Sequence, residues 1–184
     1  MSDIPGFLHD GFQSLVNEIA EAARRHGGVG KPRFRAAVSE EEYFQQYVRL
    51  VQRRGVRRVV FVSDSFSEAF PDDSFLDTLL QRVSSDPGFE LYAFVGLLSD
   101  EVANPILLRM KEASNADVGR VEVRELGMKP LLRGVFTNYG GICQAIQQAG
   151  PKVEETYEFQ GVDLTDEVLA ATWLYVTSSA RRKE

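Results

Sequence analysis

Two short runs in this chain are predominantly apolar and do not alternate with polar residues along their length, and they constrain the fold more than any other feature. Residues 57–63 and residues 89–95 are rich in β-branched and aromatic side chains. A strand with one face in water alternates apolar and polar residues, so unbroken runs predict strands that are covered on both faces. Strands of this kind belong to parallel sheets, in which crossover helices cover the faces.

The segments around these strands have helical spacing and end signals. Ser39 followed by Glu42 has the form of a capping box, and it opens a predicted helix that stops at Gly55. A second helix is predicted over 74–85, and a third begins where Asn104 precedes Pro105. Residues 118–126 then alternate like a strand. This order predicts a βαβαβ unit with parallel strands and right-handed crossovers.

The pattern changes in the last third of the chain. Residues 132–137, 142–147 and 155–160 are short extended runs with turn residues between them. Tight turns join antiparallel neighbours, although 142–149 also fits a helix. Asp163 caps a final amphipathic helix. The predicted fold class is therefore α/β, with a mixed sheet in which βαβαβ is followed by antiparallel strands and a C-terminal helix.

The N-terminal segment forms a separate unit in this interpretation. Residues 7–25 predict an amphipathic helix, and the glycine-rich residues 26–31 predict a hinge. We divide the chain into a helix and hinge over 1–31 and an α/β domain over 32–184. An exposed apolar stripe needs a cover, so we expect Leu8, Phe12, Leu15 and Ile19 to contact a partner. The alternative is that this helix folds back over its own sheet.

Composition narrows the function classes. The chain has 184 residues, a formal net charge of −6 and one cysteine, Cys143. An acidic protein is poorly suited to phosphate neutralisation, so nucleic acid is not an expected partner. No apolar run is long enough to span a membrane, and no basic signal region precedes one, so we expect a cytoplasmic protein. Cysteine-cluster and phosphate-loop motifs are lacking, and we predict neither a cofactor nor a metal.

Three polar residues follow the first apolar strand. Ser63, Asp64 and Ser65 lie where the strand ends. Open α/β sheets bind ligands at the carboxyl ends of their strands, so these residues are candidate ligand contacts. The alternative is a turn in which Asp64 and Ser65 bond their own backbone.

The octapeptide Leu-Leu-Arg-Gly-Val-Phe-Thr-Asn, residues 131–138, resembles the His-x-Lys-x-x-x-x-Asp motif of the phospholipase D superfamily. The three motif positions are Leu131, Arg133 and Asn138. The resemblance, together with the element order over 40–180, implies one degenerate half of a phospholipase D-like fold. Intact members use the histidine as a nucleophile on phosphodiesters and pair two copies of the motif. Leucine cannot attack phosphorus, so the resemblance implies a domain that is not an enzyme.

Three functions follow from these observations. The first is a non-catalytic phospholipase D-like module that binds a protein partner or a small anionic ligand, with Arg133 and Asn138 as contacts. A structural alternative for Arg133 is an ion pair with Glu122. The second is a phosphoester- or nucleotide-processing enzyme that uses Ser63, Asp64 and Ser65. The third is a structural subunit that oligomerises. A single half leaves its motif edge uncovered, which predicts a homodimer or a heteromeric partner.

Overall fold

The computed structural model describes residues 33–35, 39–65, 69–70, 72–96, 105–117, 120–127, 130, 132–145, 155–161 and 163–180. The predicted N-terminal helix with Leu8, Phe12, Leu15 and Ile19 lies outside these residues, as does Leu131. The described elements, in chain order, are β1 (Arg33–Arg35), α1 (Glu40–Gln52), β2 (Arg58–Ser63), α2 (Asp73–Ser85), β3 (Glu90–Val95), α3 (Pro105–Ala116), β4 (Val121–Glu125), β5 (Leu132–Thr137), β6 (Gly140–Ala145), β7 (Glu155–Gln160) and α4 (Thr165–Ala180).

The strands form one mixed sheet in the order β1-β7-β6-β5-β2-β3-β4. Strands β2, β3 and β4 are parallel, whereas β5, β6, β7 and β1 are joined to the sheet by antiparallel pairing. The expectation of an α/β protein with a mixed sheet is confirmed. The segment that also fitted a helix is strand β6, because it lies between β5 and β7 and completes hydrogen-bonded ladders with both.

The two faces of the sheet have different covers. On one face the Phe61 ring of β2 lies 5.4 Å from Tyr47 of α1 and 6.3 Å from Phe75 of α2, measured between ring centroids. Helix α3 adds buried side chains to the same core. On the opposite face the Trp173 ring of α4 meets Phe94 of β3 edge-on at 5.7 Å. Strands β2 and β3 are thus covered on both faces, which explains why their sequences do not alternate.

The predicted cap of α1 is present, and α2 has a cap that was not predicted from the sequence. Ser39 accepts a hydrogen bond from the Glu42 backbone N–H at 3.2 Å, and Asp72 accepts one from Phe75 N–H at 2.8 Å. At the far end of α1, Arg82 donates to the Val51 carbonyl at 2.9 Å. These contacts fix where α1 ends relative to the sheet. None of the described helices is long and apolar enough to cross a membrane.

Candidate functional site

Asn138 lies at the end of β5 and holds the neighbouring backbone. Its Oδ1 accepts hydrogen bonds from Arg57 N–H at 2.8 Å and Arg58 N–H at 3.4 Å. Its Nδ2 donates to the Gly55 carbonyl at 3.3 Å. The Asn138 amide therefore links the loop between α1 and β2 to the turn that follows β5.

Arg133 lies near the other end of β5 and belongs to a row of polar side chains. Its Nε donates to Gln144 Oε1 at 2.8 Å, and Gln144 Nε2 donates to Thr156 Oγ1 at 3.2 Å. Gln144 and Thr156 are both buried. The row crosses β5, β6 and β7 in register. Arg133 does not pair with Glu122, which instead forms an ion pair with Arg124 at 3.1 Å.

The sheet brings the Ser63 end of β2 close to Arg133, whereas Asn138 lies away from both. The β2–β5 ladder pairs Phe61 with Val135 and Val62 with Gly134, so its next step places Ser63 beside Arg133. Asp64 and Ser65 follow directly at this carboxyl end of β2. Asn138 lies five residues away along β5, about 17 Å in an extended strand. The Arg133 and Asn138 side chains therefore lie at opposite ends of β5.

A cleft that the sequence did not reveal opens between α1 and the antiparallel half of the sheet. Its volume is about 320 Å³. One wall is a stripe of α1 and the residue that caps it, and the other is formed by β6 and β7. The lining residues are Gln46, Arg49, Leu50, Arg53, Gly141, Ile142, Glu158 and Gln160.

The cleft has different chemistry at its two ends. The Arg53 guanidinium lies 4.8 Å from the centroid of the Tyr139 ring, in the β5–β6 turn. The Tyr139 carbonyl accepts a hydrogen bond from Gly161 N–H at 2.8 Å, so Arg53 and Gln160 share this end. Gln46 lies two helical turns earlier on α1, roughly 10 Å from Arg53 along the helix axis. The strand residue Glu158 likewise lies further from the turn than Gln160.

Two kinds of polar group in the cleft favour a ligand. Among the described residues neither Arg49 nor Arg53 forms an ion pair with a carboxylate. The Oε1 atom of Gln46 is buried and accepts no hydrogen bond from the residues that the structure describes. Its Nε2 donates to Glu42 at 3.2 Å, which fixes the orientation of the amide. A buried acceptor without a donor costs stability, on the order of 1–3 kcal/mol, unless a ligand or water supplies one.

The other chemically notable side chains have structural roles. Asp72 caps α2, and Arg109 contacts both Asp73 and Asp77 of that helix. In the described part of the chain no cluster of His, Cys, Asp and Glu is arranged to hold a metal ion. Cys143 is fully buried on β6, and this burial raises the pKa of its thiol far above the ordinary value. A thiol in this state is a poor nucleophile.

The cleft residues carry a signal that is visible in the sequence only in retrospect. Gln46, Arg49, Leu50 and Arg53 follow helical spacing and form one stripe beside the apolar stripe of α1. Arginines at the end of a helix commonly satisfy its last carbonyls, so the sequence favoured a solvated surface. Only the register of β6 and β7 places a strand surface opposite these four residues.

Comparison with known proteins yields few matches. No family model and no curated protein matches the chain at a significant level. A solved structure that it resembles is that of TrmBL2, an archaeal chromatin protein described as showing a novel mode of DNA binding. The TM-score is 0.48 and the sequence identity 14%, over 90% of this chain and 58% of that one. The chain thus spans less than two thirds of that protein's length.

This comparison corrects one expectation. Nucleic acid was excluded as a partner because the net charge is −6. That exclusion is contradicted by one of the structures found, which is described by its DNA binding. Net charge averages over the whole chain and does not report the local surface that meets a phosphate backbone. DNA binding is stated of TrmBL2, and no binding surface for DNA is assigned to this chain.

Proposed function

We propose that this chain is a non-catalytic binding module with a phospholipase D-like half fold, and that it takes a small polar ligand into the cleft between α1 and β7. The fold assignment is supported by the parallel β2, β3 and β4 followed by the β5–β6 hairpin that carries the degenerate motif. It is also supported by the position of Arg133, one residue inside β5.

A non-catalytic role is supported by the state of the motif positions. Residue 131 is leucine, which has no lone pair with which to attack phosphorus. Arg133 is hydrogen-bonded to Gln144, and Asn138 to the backbone at the start of β2. These two side chains stabilise the sheet and lie too far apart to hold one phosphoryl group between them.

The observation that carries the binding proposal is the cleft itself. It combines a concave shape with guanidinium, carboxylate and amide groups that converge on an apolar floor of Leu50 and Ile142. Small-molecule sites in proteins have this construction, with an apolar lining and a few polar groups that orient the ligand. On a flat surface the same charged groups would stay in water, and each contact with a ligand would contribute little to binding.

The binding proposal is tested by a nuclear magnetic resonance titration of the ¹⁵N-labelled full chain with a library of small polar metabolites. We expect saturable shifts at the amides of Leu50, Ile142 and Gln160, and no turnover of the bound compound. Arg53→Gln should weaken binding, whereas Arg54→Gln, which removes the same charge from a neighbour that does not line the cleft, should not. If no compound perturbs these amides, or if the bound compound is consumed, the proposal is refuted.

The carboxyl end of β2 is a second candidate site. The observation that favours it is the β2–β5 ladder, whose last pair, Val62 with Gly134, brings Ser63 close to Arg133, with Asp64 and Ser65 at the strand end. Ligands of open α/β sheets bind at this end of the strands. If the library compounds shift the amides of Ser63 and Ser65 and leave those of the cleft unchanged, this second site is the correct one.

A further inference from the structure

The cleft is polarised along its length, and this polarity narrows its ligand class. At one end lie the Glu158 carboxylate and the buried Gln46 Oε1, both of which accept hydrogen bonds. At the other end lies the Arg53 guanidinium, while the amide of Gln160 donates back to Glu158 Oε1 at 3.5 Å. Leu50 lies between Gln46 and Arg53 on the helix side, and Ile142 lies beside Glu158 in the β6–β7 ladder. The cleft therefore presents acceptors, then an apolar stretch, then a cation.

The spacing of the two ends follows from the helix. Gln46 on α1 and Arg53, which caps it, are seven residues apart, which separates them by roughly 10 Å along the helix axis. The ammonium and carboxylate of an α-amino acid share one carbon and are too close together to span this distance. A zwitterion whose charges are joined by several methylene groups, or by a peptide unit, matches it.

We infer that the cleft binds a small zwitterion with separated charges, of the class of ω-amino acids and dipeptides. This inference rests on the proposed ligand-binding function. The ammonium lies against Glu158 and Gln46 Oε1, the carboxylate against Arg53, and the connecting chain over Leu50 and Ile142. A carboxylate has about four lone-pair sites, so Glu158 accepts from the ligand in addition to its contacts within the protein.

Each end contributes a charge-assisted hydrogen bond. Such bonds are about twice as strong as neutral ones. A guanidinium also matches the planar geometry of a carboxylate. Arg49, one turn from Arg53 on the same stripe, adds positive potential along the rim. A ligand with one charge gains only one of the two end contacts.

The inference is tested by affinity measurements on the full chain with a series of ω-amino acids from glycine to 6-aminohexanoate. Pentanoate and pentylamine serve as probes with a single charge. We expect affinity to peak in the upper half of the series, with 5-aminopentanoate at least tenfold tighter than either probe. An affinity that does not change along the series, or pentanoate binding as tightly as 5-aminopentanoate, overturns the inference.

Charge-neutral variants identify which end holds which group. Glu158→Gln should abolish the preference for 5-aminopentanoate over pentanoate while keeping its preference over pentylamine. Arg53→Gln should do the reverse, and Arg54→Gln should alter neither. A misfolded variant would lose both preferences at once, so the crossed pattern is specific to the proposed orientation, and variants that leave both preferences intact overturn it. If the zwitterions fail but another library compound shifts the cleft amides, the inference falls and the binding function stands; if nothing binds there, both fall.

Discussion

The two roles that Asn138 could have predict opposite results for one substitution. The phospholipase D resemblance makes it a ligand residue, whereas the structure engages its amide in three hydrogen bonds to the backbone around the start of β2. One of these bonds, from Arg57 N–H, is 2.8 Å long, and the other two are 3.3 Å and 3.4 Å. Asn138→Ala removes all three and leaves the part-buried N–H of Arg58 without this acceptor.

The magnitude follows from these contacts. A short intramolecular hydrogen bond contributes about 1 kcal/mol, and the long bonds together with the exposed donor add a further fraction to about 1 kcal/mol. We therefore expect Asn138→Ala to lower the free energy of unfolding by about 1–2 kcal/mol. In a domain of this size that corresponds to a fall in Tm of roughly 2–8 °C. Asn138→Asp keeps the acceptor for both N–H groups and should cost less than about 0.5 kcal/mol.

Urea unfolding followed by circular dichroism measures both variants against the unmodified chain. The affinity of 5-aminopentanoate is measured in parallel for the folded variants. If Asn138 has a structural role, the unmodified chain is the most stable, Asn138→Asp is intermediate and Asn138→Ala is the least stable. If Asn138→Ala unfolds at the same urea concentration as the unmodified chain but no longer binds a ligand, the structural argument is refuted and the residue is a ligand contact.

Three further predictions concern the fold. Gly134→Ala should destabilise the chain by about 2 kcal/mol or more in urea unfolding, because the added methyl would lie 2.3 Å from a backbone oxygen of β6. Arg82→Met should lower the free energy of unfolding by about 2–3 kcal/mol in the same assay. Arg82 donates to carbonyls at the end of α1 and just before β2, and its guanidinium stacks 4.4 Å from the centroid of an aromatic ring. A loss under ~0.5 kcal/mol would contradict this. Hydrogen bonds from the Ser74 hydroxyl and then from a backbone N–H hold the pKa of Asp72 below its ordinary value. The contribution of the Asp72 carboxylate to folding stability is present above the unfolded-state pKa of about 4 and is lost as pH falls through the lower folded-state pKa. Asp72→Asn should therefore flatten the loss of stability below about pH 4. An unchanged acid profile would count against this prediction.

The sequence predicted the elements whose determinants are local. The strand at Arg58–Ser63 is apolar over its four central residues because helices cover both of its faces, and this composition is readable without the structure. The cap at Ser39 depends on its own hydroxyl and on the backbone N–H of Glu42, three residues later. Strand β6 was ambiguous because its small and apolar residues suit either element, and only the ladders on both sides decide it.

The sites were less predictable because they depend on register and on what a helix leaves uncovered. Ser63 and Arg133 are far apart in the chain and were proposed for different reasons, yet the antiparallel pairing of β2 with β5 makes them neighbours. Nothing local in either segment specifies that register. The cleft requires α1 to lie over β5 and β6 while β7 continues beyond it, which is a property of helix placement.

The buried Gln46 Oε1 predicts a conflict between stability and binding that a single substitution can measure. Its lack of a hydrogen-bond donor destabilises the unliganded protein, so Gln46→Leu should raise the free energy of unfolding by about 0.5–1 kcal/mol. The matched control is Gln45→Leu, because Gln45 is exposed and makes the equivalent bond to Glu41 that Gln46 makes to Glu42. That control should show no gain. Gln46→Leu should also weaken 5-aminopentanoate severalfold, since the ammonium loses one of its two acceptors. A variant that is less stable and binds equally well would show that Gln46 serves the fold and not the ligand.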